Sequence, residues 1–314
     1  MNPRAYWEAL TQAAREFMSD KAMRLSAALA YYSVFSMAPL LLIAIAVAGT
    51  VLGEDAVRGQ LGNELKNTLG PSGASAVQEM VVHARRPDTN IIVSSAGIVM
   101  LLVGACGFFV QLQDALNTVW GVEPKPGRGW RGILKDRFLS FSIVLGTGFL
   151  LLVSMVVTTM LQAMSSYGER VAHLPPQLWA VAIALVSFAL IALMFAAIFK
   201  VLPDVRVPWR HVWVGAGFTA ALFVAGKFAL GCYLGREATA SSYGSAGALI
   251  VVLVWVYYSS IILLFGAEFT QVWASRHGFA IVPTNGSVKS DDNPDGGPPS
   301  KSSKGPRHPL GSLF

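Results

Sequence analysis

The sequence predicts an all-α, polytopic integral membrane protein with six transmembrane helices and both termini in the cytoplasm, and three observations lead there. Of the 314 residues, 54% are hydrophobic and only 13% charged, about half the charge of ordinary soluble domains. Six stretches stay apolar for the ~20 residues that a helix rising 1.5 Å per residue needs to cross ~30 Å of hydrocarbon. Lysine and arginine collect on alternate connections between those stretches, which orients the chain.

Taken in order, residues 1–26 carry an amphipathic helix: Tyr6, Leu10, Ala13, Ala14 and Phe17 recur at helical spacing, with Glu8 and Arg15 off that stripe. Such a helix is expected along the cytoplasmic membrane surface. The first span, about 27–52, is free of charge from Ala27 to Gly53, and Pro39 should kink or unwind it. It is longer than a signal-peptide core and is expected to stay in the mature protein. The connection 54–90 is the long one; Val57, Leu61, Leu65 and Leu69, followed by Gly70-Pro71, read as one or two surface helices on the periplasmic side. The further spans are expected at about 91–113, 138–163, 178–199, 212–235 and 245–273, completing a transmembrane domain over 27–275. From 276 to 314 Pro, Gly, Ser, Asp and Lys dominate, and a segment of that composition buries too little apolar area to offset its ordering entropy, so it reads as a disordered cytoplasmic tail.

With the N-terminus inside, the cytoplasmic segments hold 17 Lys and Arg and the opposite side 6, with Lys227 inside the fifth span making up the 24. The formal net charge of +6 therefore reads as a topology signal rather than a nucleic-acid surface, and the basic tail as polymer near anionic lipid. Cys106 and Cys232 each fall inside a span with no CxxC or Cys/His cluster, so they read as small packing residues.

The run Ala27-Leu-Ala-Tyr-Tyr-Ser with Pro39-Leu-Leu-Leu, the segment Gln113-Asp-Ala-Leu-Asn117 with Trp120-Gly121, the pair Leu202-Pro203, Gly215-Ala216, Tyr243-Gly244 with Gly247 and Ala248, Trp255, and the ending Gly266-Ala-Glu268 resemble the YihY/BrkB membrane protein family, once labelled ribonuclease BN. The likeness runs from about residue 7 to 275. It implies a six-helix inner-membrane protein described as a transporter, with a virulence or serum-resistance association in some members, and it implies no substrate. The ribonuclease label is regarded as a misassignment.

Ionisable side chains at membrane depth are costly and nominate the sites. Glu268 lies about five residues, roughly 8 Å, inside the cytoplasmic end of the sixth span. Asp114 ends the second span and Arg137 opens the third, so these three, with Asn117 and Gln113, are expected to form one polar cluster. That cluster is either a cytoplasmic gate or binding site, or an ion-pair network that locks helices 2, 3 and 6. Lys227, about 24 Å into the fifth span, either snorkels outward or meets an anion or headgroup in a cavity, and is set too far from Glu268 to pair with it. Tyr32, with Tyr31, Ser33 and Ser36 just before Pro39, could line a cavity or pack in the core. The GxxxG at Gly231 to Gly235 and the small face of Gly104, Ala105 and Gly107 read as close helix packing.

His83, His173, His211, His277 and His308 are scattered, and no P-loop or GxSxG is present, so neither an enzyme, a cofactor nor a metal site is expected. The expected function is an inner-membrane transporter, or a lipid or amphiphile translocase, of unknown substrate. The alternative is a non-transporting scaffold or envelope-assembly protein acting through its periplasmic connection. Membrane lipids are the expected partners, nucleic acid is not, and an oligomer is compatible with the sequence.

Overall fold

The computed structural model describes residues 3–84, 107–125, 176–236, 245–284 and 286–290. The expected spans at 91–113 and 138–163 therefore lie largely or wholly outside the described residues, as does Arg137.

Helix α1, Pro3–Ser19, opens on a proline, whose missing N–H costs nothing at a helix start. Two residues past its end, Lys21 takes a left-handed backbone conformation at φ 55° and turns the chain into α2, Ala22–Leu52. The first long helix thus begins five residues earlier than the charge-free stretch suggested, with Arg24 in its opening turns. It runs on through Pro39 without the expected unwinding. Nor does α1 stand apart on the membrane surface: Ala9 and Ala13 are fully buried against Phe269, Val272 and Trp273 of the last long helix.

Helix α3, Glu54–Ala84, is broken at Gly70, whose φ of 75° only glycine adopts cheaply, with Pro71 directly after it. The result is a helical hairpin; a Cβ on Gly62 in its first arm would meet Gln78 of the second at 3.0 Å. It does not sit free on a surface. Val57 and Val81 pack on Ile45, and Leu69 and Val77 on Val252, with Met37, Leu41 and Trp255 alongside.

Residues 107–120 form α4, followed by the three-residue strand β1, Val122–Pro124. Then come α5, Pro176–Val201, α6, Trp209–Arg236, α7, Ser245–Arg276, and strand β2, Ser287–Lys289. Among the described residues, three stretches are long and apolar enough to cross a membrane: Val181–Val201, Trp209–Ala229 and Leu249–Arg276. The main core joins Leu116, Val119 and Trp120 of α4, Phe195 and Phe199 of α5, Val212 and Ala216 of α6, Leu264 and Ala267 of α7 and Leu29 of α2.

Helices α6 and α7 cross through a reciprocal glycine and threonine motif. Thr270 of α7 covers Gly215 of α6, and Thr219 of α6 covers Gly266 of α7. Each threonine hydroxyl donates to the carbonyl of the glycine four residues before it, at 2.7 Å for Thr219 and 2.6 Å for Thr270. The hydroxyls are satisfied within their own helices and the two backbones approach closely, as small residues allow in lipid. The GxxxG expected to serve this purpose, Gly231 to Gly235, lies in the last turns of α6.

The segment after α7 overturns part of the expected disordered tail. Strand β2 pairs antiparallel with β1, Val122 opposite Lys289 and Pro124 opposite Ser287. A second bridge joins Val205 to Pro283. Composition misled because the strand has only three residues, flanked by turn formers, and its partner lies far away in sequence. Residues 291–314 of the expected tail lie outside the described residues.

Candidate functional site

Four segments meet at one end of the bundle: α1, the β1 segment, the α5–α6 connection and the chain following α7. These are the four segments whose basic residues assigned them to a common side. Asp204 joins the α5–α6 connection to the end of α4, just before β1, and to the chain following α7. Its carboxylate Oδ2 accepts from Asn117 Nδ2 at 3.0 Å and Gln113 Nε2 at 3.4 Å. Its backbone N–H donates to Asn117 Oδ1 at 2.8 Å, and its carbonyl accepts from the Thr284 N–H at 2.9 Å and the Ser287 hydroxyl at 2.9 Å.

The expected polar cluster is therefore rebuilt around a different acid. Asn117, buried, and Gln113 both turn to Asp204. Asp114 is exposed, and its carboxyl is pushed above the ordinary range by partial desolvation and then by the Glu123 carboxylate. Sequence reasoning missed Asp204; the signal was there only as the residue following Leu202-Pro203. Cutting the chain after Pro283 removes Ser287, the Thr284 N–H and β2, and should lower the melting temperature of detergent-purified protein clearly, whereas a chain ending at Ser290 keeps all three. Asp204→Ala should cost roughly 2–3 kcal/mol, since hydrogen bonds to a charged acceptor are lost and Asn117 is left buried. Equal stability of wild type, the 283 truncation and Asp204→Ala would show that the junction holds nothing together.

Glu268 is fully buried in α7. The α6–α7 register sets its depth: it lies midway between Gly266, against Thr219, and Thr270, against Gly215, hence opposite about residue 217. Lys227 is then about ten residues, or ~15 Å, further along, and it is exposed on the outside of α6. The two do not face each other, and among the described residues Lys227 lines no interior cavity. Tyr32 is 40% exposed, edge-on to Tyr31 at 5.8 Å, and its ring lies against Gly107 of α4. Ser33 and Ser36 are buried and donate to Ala30 and Tyr32 carbonyls of their own helix. Gly104 and Ala105 lie outside the described residues.

Two features escaped the sequence reading. His211 and His277 stand with ring centroids 6.2 Å apart, the latter against Trp273 at 4.3 Å. An apolar groove of about 340 Å³ lies between α1 and α6, lined by Tyr6, Trp7, Leu10, Val214, Phe218 and Phe269. Three of its lining rings belong to one ladder: Phe218 stacks on Phe269 at 4.2 Å, and behind the lining Trp273 links Phe269, at 6.0 Å, to Tyr6, at 4.9 Å. Helix α1 is held as its wall by Arg276, which pairs with Glu8 at 3.1 Å and donates to Gln12 at 2.9 Å.

A model of the family described as virulence factor BrkB matches residues 13–289, a range that includes the Asp204 junction and β2. The UPF0761 membrane protein of Alkalilimnicola ehrlichii is 26% identical over 263 residues, 83% of this chain and 57% of that protein. Its counterpart in Psychrobacter sp. is 26% identical over 255 residues, covering 80% and 46%. That of Pseudomonas aeruginosa is 28% identical over 259 residues, covering 81% and 60%. The chain thus spans between 46% and 60% of the length of these curated relatives. No solved structure matches it.

Proposed function

From the premise that this chain belongs to the virulence factor BrkB family of membrane proteins, we propose that it is a six-span inner-membrane transporter that translocates lipids or other amphiphiles, with both termini in the cytoplasm. The observation that supports transport most is Glu268. A carboxylate with 0% exposure inside a helix able to cross the membrane costs several kcal/mol to place there and is kept where it has a task. The orientation is supported by the 17 to 6 division of basic residues, because the segments rich in them share the end where Asp204 sits. The aromatic residues Trp7, Trp209 and Trp213 are exposed at that same end, where the edge of a bilayer favours them. From the level of Trp213, Glu268 is about four residues, or ~6 Å, deeper. Lys227, 18 residues beyond Trp209, is near the opposite edge, where its stem can snorkel.

The reading is tested by reconstituting the full chain into vesicles that carry a trace of fluorescent phospholipid, then adding a membrane-impermeant quencher. Translocation brings inner-leaflet label within the quencher's reach, so quenching should pass the one-leaflet limit set by protein-free vesicles, and Glu268→Gln should return it to that limit. Wild-type protein that never exceeds the limit with any labelled phospholipid would refute lipid translocation.

The scaffold reading keeps one observation in its favour. The α3 hairpin turns Asp55, Asn63, Lys66, Gln78 and Glu79 outward, a polar face suited to another protein outside the membrane. Reversing the charges of Lys66 and Glu79 would then abolish function in cells while leaving the vesicle assay unchanged.

A further inference from the structure

We propose that the groove between α1 and α6 is a binding site for one anionic phospholipid of the cytoplasmic leaflet, an acyl chain lying on Val214, Phe218 and Phe269 and the phosphate meeting Arg210. The proposal deepens the translocase reading and rests on its placement of this end of the bundle at the cytoplasmic membrane edge.

The groove has the two-part chemistry of an amphiphile site. All six lining residues are apolar or aromatic, and an acyl chain in contact with them removes both surfaces from water or from looser lipid packing. The polar part follows from the helix period. Arg210, Val214 and Phe218 are spaced by four residues along α6, so they form one stripe with successive members about 6 Å apart. Arg210 is thus one turn nearer the helix end than the first lining residue. It is exposed, its Nη2 lies 3.5 Å from His211 Nε2, no acidic side chain is paired with it among the described residues, and its neighbours Trp209 and Trp213 mark the membrane edge. A guanidinium there meets a phosphate oxygen with charge-assisted hydrogen bonds while the chain enters below it.

The groove is also fixed rather than incidental. Its α1 wall is held by Arg276 through Glu8 and Gln12, and by Ala9 and Ala13 buried on α7. Trp7, which also lines the groove, remains 67% exposed and so offers apolar surface to a bound chain.

Native mass spectrometry of the delipidated full chain in detergent, titrated with dioleoylphosphatidylglycerol or dioleoylphosphatidylcholine, tests this. One phosphatidylglycerol should bind per chain in a saturable step. Val214→Trp and Leu10→Trp, which fill the groove from its two walls, should each abolish that step. Arg210→Gln should weaken phosphatidylglycerol binding about tenfold, the factor that corresponds to 1.4 kcal/mol, and weaken phosphatidylcholine binding, whose phosphate charge is offset by the choline cation, by clearly less. Two results would overturn the proposal: a filled variant with wild-type melting temperature that still binds one phosphatidylglycerol, or equal binding of the two lipids that Arg210→Gln does not alter. Binding is read in detergent without translocation, so failure of the vesicle assay leaves this test intact, and its failure leaves translocation by another route open.

Discussion

Glu268→Ala is expected to be the most damaging single substitution in α7, lowering stability by about 3–5 kcal/mol where Arg137 is its partner, the cost of breaking a buried ion pair by removing one member. Its side chain has no exposure to water, and in the proposed orientation it sits below the membrane edge marked by Trp209 and Trp213. A carboxylate in that position stays ionised only with a cation or several donors around it. Arg137 is the cation that the sequence nominates, and its position lies outside the described residues. Glu268→Gln keeps the shape and one acceptor and should cost less. The double mutant Glu268→Ala with Arg137→Ala, followed separately for melting temperature and for translocation, assigns the role. Recovered stability with translocation still lost means a working site, and recovery of both means a structural pair. Strictly additive losses mean that the two residues do not interact.

Gly215→Ala is expected to cost about 3 kcal/mol, at the upper end of what overpacking a close contact does. Its Cβ would overlap the Thr270 hydroxyl and lie 2.6 Å from Thr270 Cβ and 2.8 Å from its Cγ2. The obstacle is a branched side chain whose hydroxyl is engaged by the Gly266 carbonyl, so it cannot swing aside without losing that bond. Gly266→Ala meets Thr219 in the same way and should behave alike. The size swap Gly215→Ala with Thr270→Gly removes the clash and should regain most of the loss, less the roughly 1 kcal/mol that a helical glycine costs. If Gly215→Ala melts like wild type in detergent, α6 and α7 do not cross at this spacing.

Helices α5, α6 and α7 were legible because their limits are set by contrasts that sequence carries locally. The expected 178–199, 212–235 and 245–273 fall within three residues of Pro176–Val201, Trp209–Arg236 and Ser245–Arg276. The hairpin break at Gly70-Pro71 was legible for the same reason: two residue types dictate backbone shape wherever they occur. What stayed hidden depends on pairings between distant residues. Asp204 and Asn117 are 87 positions apart, and His211 and His277 come together only through the α6–α7 register. Gly215 and Gly266 read only as parts of a family resemblance until each is placed under the other's threonine. The segment from 277 to 290 was misread because composition measures capacity to build a core, whereas three residues pairing with an existing strand need only a partner. The candidate acids divided similarly. Depth within an apolar stretch marked Glu268 correctly as buried, but adjacency to a span's end could not tell exposed Asp114 from Asn117, three residues on and facing the core.

The claim that one end of the bundle, closed by the Asp204 junction above Glu268, faces the cytoplasm is tested most directly by cysteine labelling in spheroplasts, in a background lacking Cys106 and Cys232. Single cysteines at Arg206 and Lys289 of the junction and at Lys66 of the hairpin, all exposed, are challenged with a membrane-impermeant maleimide. The expected result is labelling at 66 in intact spheroplasts and labelling at 206 and 289 only after the membrane is opened. Labelling at 206 or 289 in intact spheroplasts, or at the two positions from opposite sides, would contradict the account.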